Sequence, residues 1–151
     1  MSKHCTKNTL SINGSKLSIV IVVSMFNKDI VSGLLKTTVS ELKKHKVRNI
    51  QILRVPGALE IPLTVQMAIK KYKPNAVIAL GAVIKGETSH YEHVSRESIH
   101  GIMNVSLQTN TPIIQGILTT LTLQQARERI VLGTEYAQAA LTMSSLTSSI
   151  T

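Results

Sequence analysis

The 151-residue sequence has no tryptophan, one phenylalanine (Phe26) and an aromatic content of only 3%. Any core must therefore be filled by aliphatic side chains, which the 43% hydrophobic content can supply. A single cysteine, Cys5, lies in the polar N-terminal stretch, so no intrachain disulfide can form. Met1 to Asn13 contains no apolar segment of signal-peptide length, and Leu17 to Val23 is too short to cross a bilayer. A cytoplasmic, soluble protein without membrane contact is the expectation. The glycine-rich phosphate loop with its following lysine is absent, which argues against ATP hydrolysis. No dinucleotide fingerprint follows the first apolar run either; Ser24-Met25-Phe26-Asn27 stands there instead.

Acid is also scarce: 8 Asp and Glu face 17 Lys and Arg, for a net charge of +9. Residues 1–50 carry nine of the cations against only Asp29 and Glu41, and Lys36, Lys43, Lys44, Lys46 and Arg48 cluster on and just after one helical pattern. Such a cluster reads first as a solvated helix face. No aromatic platform accompanies it, as single-strand nucleic-acid binding requires, so no nucleic-acid partner is expected.

What the chain does have is strict alternation. A polar tail, residues 1–15, precedes one domain, residues 16–151. The patterns predict strands at Leu17–Ser24, Asn49–Val55, Ala76–Ile84 and Ile113–Thr119. Helices are predicted at Asp29–Lys44, Leu59–Tyr72 and His90–Gln108, with Pro62 tolerated in a first turn. Thr122–Ile130 and Thr134–Leu146 read as closing helices, and the Ser/Thr-rich end, Ser144–Thr151, is expected to fray. On the first predicted helix the apolar stripe is read as Ile30, Leu34, Leu35, Val39 and Leu42, and on the third as Val94, Ile99, Ile102, Met103 and Leu107. Alternating strands and helices imply right-handed crossovers and a parallel sheet covered on both faces. The expected fold is a three-layer α/β/α sandwich, flavodoxin-like, with a four-stranded parallel sheet.

Ligands of such sheets lie outside the carboxyl ends of the strands. That rule nominates Ser24–Asn27, Val55–Glu60, Gly81–His90 and Leu118–Thr122, and the unusual local chemistry falls in these segments. The richest is Lys85-Gly86-Glu87-Thr88-Ser89-His90, between a buried strand and a helix. Gly86 permits a sharp turn and close backbone approach to a ligand. Thr88 and Ser89 are N-cap candidates beside the free N–H groups of a helix start. His90 suits general acid–base work, although a histidine at a helix end can equally be a solvated surface group. His90 and His93 have the spacing of a ligand pair, but no third or fourth ligand is visible, so no metal is expected. Lys85 and Arg129 are candidate phosphate groups or ordinary surface cations. Phe26 suits either a core position or stacking on a planar ring. Glu60 is either a first-turn acid or an acceptor for ligand N–H and O–H groups.

Taken together, Phe26-Asn27, Val55-Pro56-Gly57-Ala58-Leu59-Glu60-Ile61-Pro62, Leu80 to His90 and Gly116-Ile117-Leu118-Thr119-Thr120 resemble the lumazine synthase family of riboflavin biosynthesis. The resemblance runs in order from Leu17 to Ile130. It implies condensation of 5-amino-6-(D-ribitylamino)uracil with (2S)-2-hydroxy-3-oxobutyl phosphate, without metal or organic cofactor. It further implies that Phe26 stacks on the pyrimidine, and that Ala58, Leu59 and Glu60 hold the ring and ribityl chain. Ala82, Val83 and Ile84 are implied as further ring contacts, Glu87 and Thr88 as the phosphate end, and His90 as the proton-transfer residue. The family builds its sites between subunits of a pentamer, so Gln115 and Arg129 are expected to come from a neighbour. Riboflavin synthase is a further partner that the resemblance suggests.

Two positions depart from the family pattern. Gln115 stands where an aromatic is common, and Leu132 takes the place of a lysine in a segment shorter than in many relatives. Apart from the resemblance, a basic, flavodoxin-like binder of a phosphorylated small molecule or RNA, without catalysis, is the rival reading. A flavin-binding electron carrier fits less well, because the loop Met25–Asp29 is not a Ser/Thr-rich phosphate loop.

Overall fold

A computed structural model describes residues 11–151. Four parallel strands form one sheet in the order β2-β1-β3-β4, where β1 is Ser18–Ser24, β2 Asn49–Val55, β3 Ala76–Ile84 and β4 Ile113–Thr120. Helices α1 (Lys28–Lys44), α2 (Ile61–Tyr72), α3 (His90–Thr109), α4 (Leu123–Glu128) and α5 (Leu132–Ile150) complete it. This is the expected parallel α/β sandwich of flavodoxin-like character.

The two central strands explain why their sequences are apolar throughout. Successive side chains of a strand point to opposite faces, so a strand covered on both sides needs apolar residues at every position. In β1, Ile19, Ile21 and Val23 join one cluster with Leu34 and Leu42 of α1 and Ala137, Ala140 and Leu141 of α5. The intervening Val20 and Val22 join the opposite cluster with Ile61 and Val65 of α2 and Ile102 and Val105 of α3. β3 divides the same way, Ile78 and Leu80 to the first cluster and Val77 and Ala79 to the second. The edge strand β2 is more polar, with Gln51 and Arg54 exposed.

Four expectations need correction. First, Ala58–Glu60 is a separate 3-10 turn, and α2 begins at Ile61. Pro62 then sits in the first turn, where its missing N–H costs no helical hydrogen bond. Second, the buried stripe of α3 includes Ser98, Ile102 and Val105, while Met103 and Leu107 point outward. The Ser98 hydroxyl donates back to the Val94 carbonyl at 2.6 Å, so a polar residue occupies the buried side without an orphaned group. Third, α1 buries Val31, Thr38 and Glu41 along with Ile30, Leu34 and Leu42, leaving Leu35 and Val39 only partly covered. Fourth, the C-terminal segment does not fray: α5 continues to Ile150, one turn beyond the predicted end. Ser144 is fully buried, and the hydroxyls of Thr147 and Ser148 donate to the Met143 and Ser144 carbonyls of the preceding turn.

The stretch read as tail is partly docked. The Gly14 N–H donates to the His45 carbonyl at 2.7 Å, a ring nitrogen of His45 lies 3.1 Å from the Ile12 carbonyl oxygen, and Ile12 packs on the α1–α5 cluster. The first part of that tail, including Cys5, lies outside the described residues.

Candidate active site

At the carboxyl ends of β1, β2 and β3 the chain opens a cleft of about 380 Å³, within the ordinary range for small-molecule sites. Each wall has a local cause. After β1, Asn27 takes a left-handed conformation, φ 52, which asparagine tolerates better than most residues. Its side-chain amide donates to the Ala82 carbonyl at 2.8 Å. The tight turn leaves Phe26 70% exposed. The sole phenylalanine is thus no core residue; its ring is displayed at the cleft. After β2, Gly57 leads into the 3-10 turn, and a Cβ added at Gly57 would lie 3.0 Å from a Glu60 carboxylate oxygen. At the end of β3, Ala82, Val83 and Ile84 line one wall, and beyond it Gly86, Thr88, His90, Tyr91 and Val94 continue it.

Nine of the twelve residues nominated from the sequence line this cleft together: Phe26, Ala58, Leu59, Glu60, Ala82, Val83, Ile84, Thr88 and His90. Glu87 belongs to the same loop but is exposed and outside the lining. Gln115 and Arg129 stand apart. Gln115 turns its amide along the open edge of β4, accepting from the Ile117 N–H at 3.0 Å and donating to the Ile117 carbonyl at 3.2 Å. Arg129 closes α4, its guanidinium donating to the Gln125 carbonyl at 2.9 Å. Its charge also acts on Tyr136, whose phenol is pushed up to about 12, chiefly by burial and secondarily by Glu135, with Arg129 opposing.

The loop before α3 is built somewhat differently from expectation. Gly86 does not adopt a positive φ, so its value is spatial: a Cβ there would meet nothing within 4 Å. Ser89 occupies the N-cap without a side-chain capping bond, and it is the Thr88 hydroxyl that accepts from the His90 N–H, at 3.4 Å. The N–H groups of Gly86, Glu87, Thr88, Ser89 and Tyr91 donate to no atom of the described residues. A string of such donors at a helix start favours an anion. Among the described residues no group of three or more His, Cys, Asp or Glu is placed to hold a metal ion. No described helix is long and apolar enough to cross a membrane.

Four lining residues escaped the sequence reading as individuals: Ser24, Asn27, Tyr91 and Val94. For Ser24 a signal existed, a hydroxyl ending an otherwise apolar strand. For Tyr91 and Val94 none did, because the rotation of α3 about its axis decides which side chains reach the cleft.

Comparison with known proteins agrees with the geometry. A family model described as 6,7-dimethyl-8-ribityllumazine synthase matches residues 16–148. A protein of that name from Nitrosospira multiformis is 48% identical over 139 residues, covering 90% of this chain and 87% of the relative. Namesakes from Azoarcus sp. and Protochlamydia amoebophila are 46% and 41% identical, each over about nine-tenths of this chain and 88% and 83% of their own length. A chain matched over nearly its whole length by that model and by these relatives belongs to the 6,7-dimethyl-8-ribityllumazine synthase family.

Proposed function

We propose that this cleft condenses 5-amino-6-(D-ribitylamino)uracil with (2S)-2-hydroxy-3-oxobutyl phosphate, releasing 6,7-dimethyl-8-ribityllumazine, phosphate and water, the penultimate step of riboflavin biosynthesis. The observation that carries the residue roles is the placement of an exposed aromatic ring, Phe26, in one cleft with His90 and the unpaired N–H groups of the Gly86–Ser89 loop. A planar pyrimidine stacks on Phe26. Ala58, Leu59, Ala82, Val83 and Ile84 enclose it, and Glu60 accepts from its N–H or ribityl O–H groups. The substrate's own amine attacks the ketone, so no enzyme lysine is required. Phosphate leaves at the loop end, where Glu87 and Thr88 lie and where backbone N–H groups and the α3 dipole receive a dianion. His90, at the first position of α3, moves the protons that imine formation, phosphate loss and ring closure demand. Both substrates are held side by side, and proximity supplies much of the acceleration.

Gln115 and Arg129 serve the cleft of a neighbouring subunit, in a homopentamer or a multiple of it. Two observations support this. Arg129 lines no part of its own chain's cleft. Leu63 and Met67 on α2 and Met103 and Leu107 on α3 are each more than half exposed, as apolar surface awaiting a partner is. The protein works in the cytoplasm and uses no cofactor.

The test is turnover with both substrates, followed by the absorbance of the lumazine product. Tight binding of the ribityl-pyrimidine and of inorganic phosphate without turnover would instead favour a non-catalytic binding protein.

A further inference from the structure

Ser24 is the last residue of β1, and its side chain is unlike any other polar group of the sheet. It is 3% exposed, yet its hydroxyl makes no hydrogen bond to any described residue. Among the described residues only the Thr38 hydroxyl is both sealed from solvent and unpartnered, so the Ser24 oxygen keeps a path to water that a ligand group can take over. The hydroxyl is not sealed in the core, because Ser24 lines the cleft.

Its placement follows from strand alternation. Val20 and Val22 face α2 and α3, and Ser24, two residues on, points to the same side. Beyond the last apolar layer, that side opens into the cleft. Across from it, on β3, stands Gly81, and a Cβ added there would lie 3.3 Å from the Ser24 oxygen. The missing side chain at 81 therefore keeps the hydroxyl uncovered. The backbone is fixed at the same time, with Ser24 opposite Val55 in the β1–β2 ladder and Met25 donating to the Val55 carbonyl at 2.8 Å. The result is a rigidly held, neutral donor–acceptor at the floor of the cleft, two residues from the ring of Phe26.

We infer that Ser24 is a specificity-determining residue, hydrogen-bonding the edge of the planar heterocycle that stacks on Phe26. The inference rests on the reaction proposed above and deepens it. A neutral hydroxyl suits a ring carbonyl or ring N–H, both of which the aminouracil presents. A phosphate dianion draws instead on the N–H groups at the cleft mouth, away from Ser24. Ser24 is thus a contact for one substrate only. It takes no proton in the chemistry, and its hydroxyl acts before and during ring closure by holding the heterocycle in register.

The experiment is steady-state kinetics on Ser24→Ala in the full-length oligomer, with each substrate varied in turn, alongside fluorescence titration with the lumazine product. The expected result is a KM for the aminouracil raised roughly 3- to 20-fold, a matching loss of product affinity, and kcat and the KM for the butanone phosphate unchanged. The thermal midpoint should hold, since no protein hydrogen bond is removed. Ser24→Cys, of similar size with a weaker hydrogen-bonding group, should fall between the two. It decides the matter alone if the alanine variant does not fold. Equal aminouracil KM values in wild type and variant would overturn the inference while leaving the reaction standing. So would a loss spread evenly over both substrates with a fallen midpoint, the mark of a packing role. A wild type that neither binds the aminouracil nor turns over would bring down the underlying reaction, and this contact with it.

Discussion

The side-chain amide of Asn27 and the carbonyl of Ala82 are joined by a 2.8 Å hydrogen bond that links the turn after β1 to the end of β3. Both residues line the cleft, and Phe26 precedes Asn27 directly. The bond therefore fixes the aromatic ring relative to the wall formed by Ala82, Val83 and Ile84. Asn27 also carries a left-handed backbone, at φ 52. Replacing it by alanine loses both the bond and the tolerance for that conformation. Asn27→Ala should cost about 1–3 kcal/mol of stability and raise the aminouracil KM by letting Phe26 drift. Urea unfolding and kinetics on the same preparation check the two effects, and a variant changed in neither shows that the turn is held by other contacts.

Glu41 provides a pH prediction away from the cleft. Its carboxylate, nearly buried on α1, accepts from Gln138 of α5 at 3.0 Å and has a ring nitrogen of His45 at 3.3 Å and the Lys44 ammonium at 3.5 Å. The Gln138 hydrogen bond, then the charge of Lys44 and the contact with His45, hold its acidity below the ordinary value of 4.5, against the opposing pull of burial. A depressed carboxylate stabilises the fold at pH above its unfolded value, and that contribution fades as pH falls through the folded value. Glu41→Gln should therefore flatten the loss of stability between about pH 5 and 3, measured by urea midpoints across that range. An acid limb identical to wild type would remove Glu41 from the account.

Much of this was legible in the sequence because the relevant physics is local. β2 and β3 have the bounds that the sequence pattern predicts, and the cleft gathers loops that the strand-end rule nominates. What was hidden depends on rotation and distance. The burial of Ser98 in place of Met103 reflects how α3 is turned, which a helix with apolar residues on several sides does not encode. Continuation of α5 to Ile150 reflects tertiary cover over Ser144, which outweighs weak serine and threonine propensity. The separation of Arg129 from the cleft follows from its place beyond β4, at the far edge of the sheet from β2. Only the family resemblance connected that arginine to the site, through a neighbouring subunit.

The close approach of α5 to α1 leaves no room that mutation could fill without penalty. At Gly133 an added Cβ would come within 2.6 Å of the Leu34 backbone carbonyl oxygen, and Thr37 and Thr38 crowd the same point. The Thr37 hydroxyl lies 3.0 Å from the Ile130 carbonyl as well, so α1 and the start of α5 are tied at close range. Gly133→Ala should destabilise by about 1–3 kcal/mol, as overpacking does. Gly86→Ala, at a site with open space and no positive φ, should leave stability within error. Thermal unfolding of the pair, side by side, tests the contrast. A tolerant Gly133 would mean that the helices can part there without penalty.

The sharpest test concerns His90 and Arg129, which the fold places in separate regions of one chain. His90→Ala should slow turnover roughly 10- to 1,000-fold, as loss of one proton-transfer group does, with pyrimidine binding nearly intact. Arg129→Ala should cost about 2–4 kcal/mol, felt by the phosphate substrate, as loss of a charged hydrogen-bonding partner does. If each site takes His90 from one subunit and Arg129 from its neighbour, co-expression of the two variants regenerates intact sites. Random mixing in equal amounts gives a subunit with His90 intact beside one with Arg129 intact at about a quarter of the interfaces of a ring. Co-expressed protein should then recover about that fraction of wild-type turnover, while either variant alone stays near its own residual rate. Activity no higher than the mean of the two single variants would place both groups in the same subunit's site or remove Arg129 from it. The phosphate would then rest on the Gly86–Ser89 N–H groups, with Lys85 as the nearest cation.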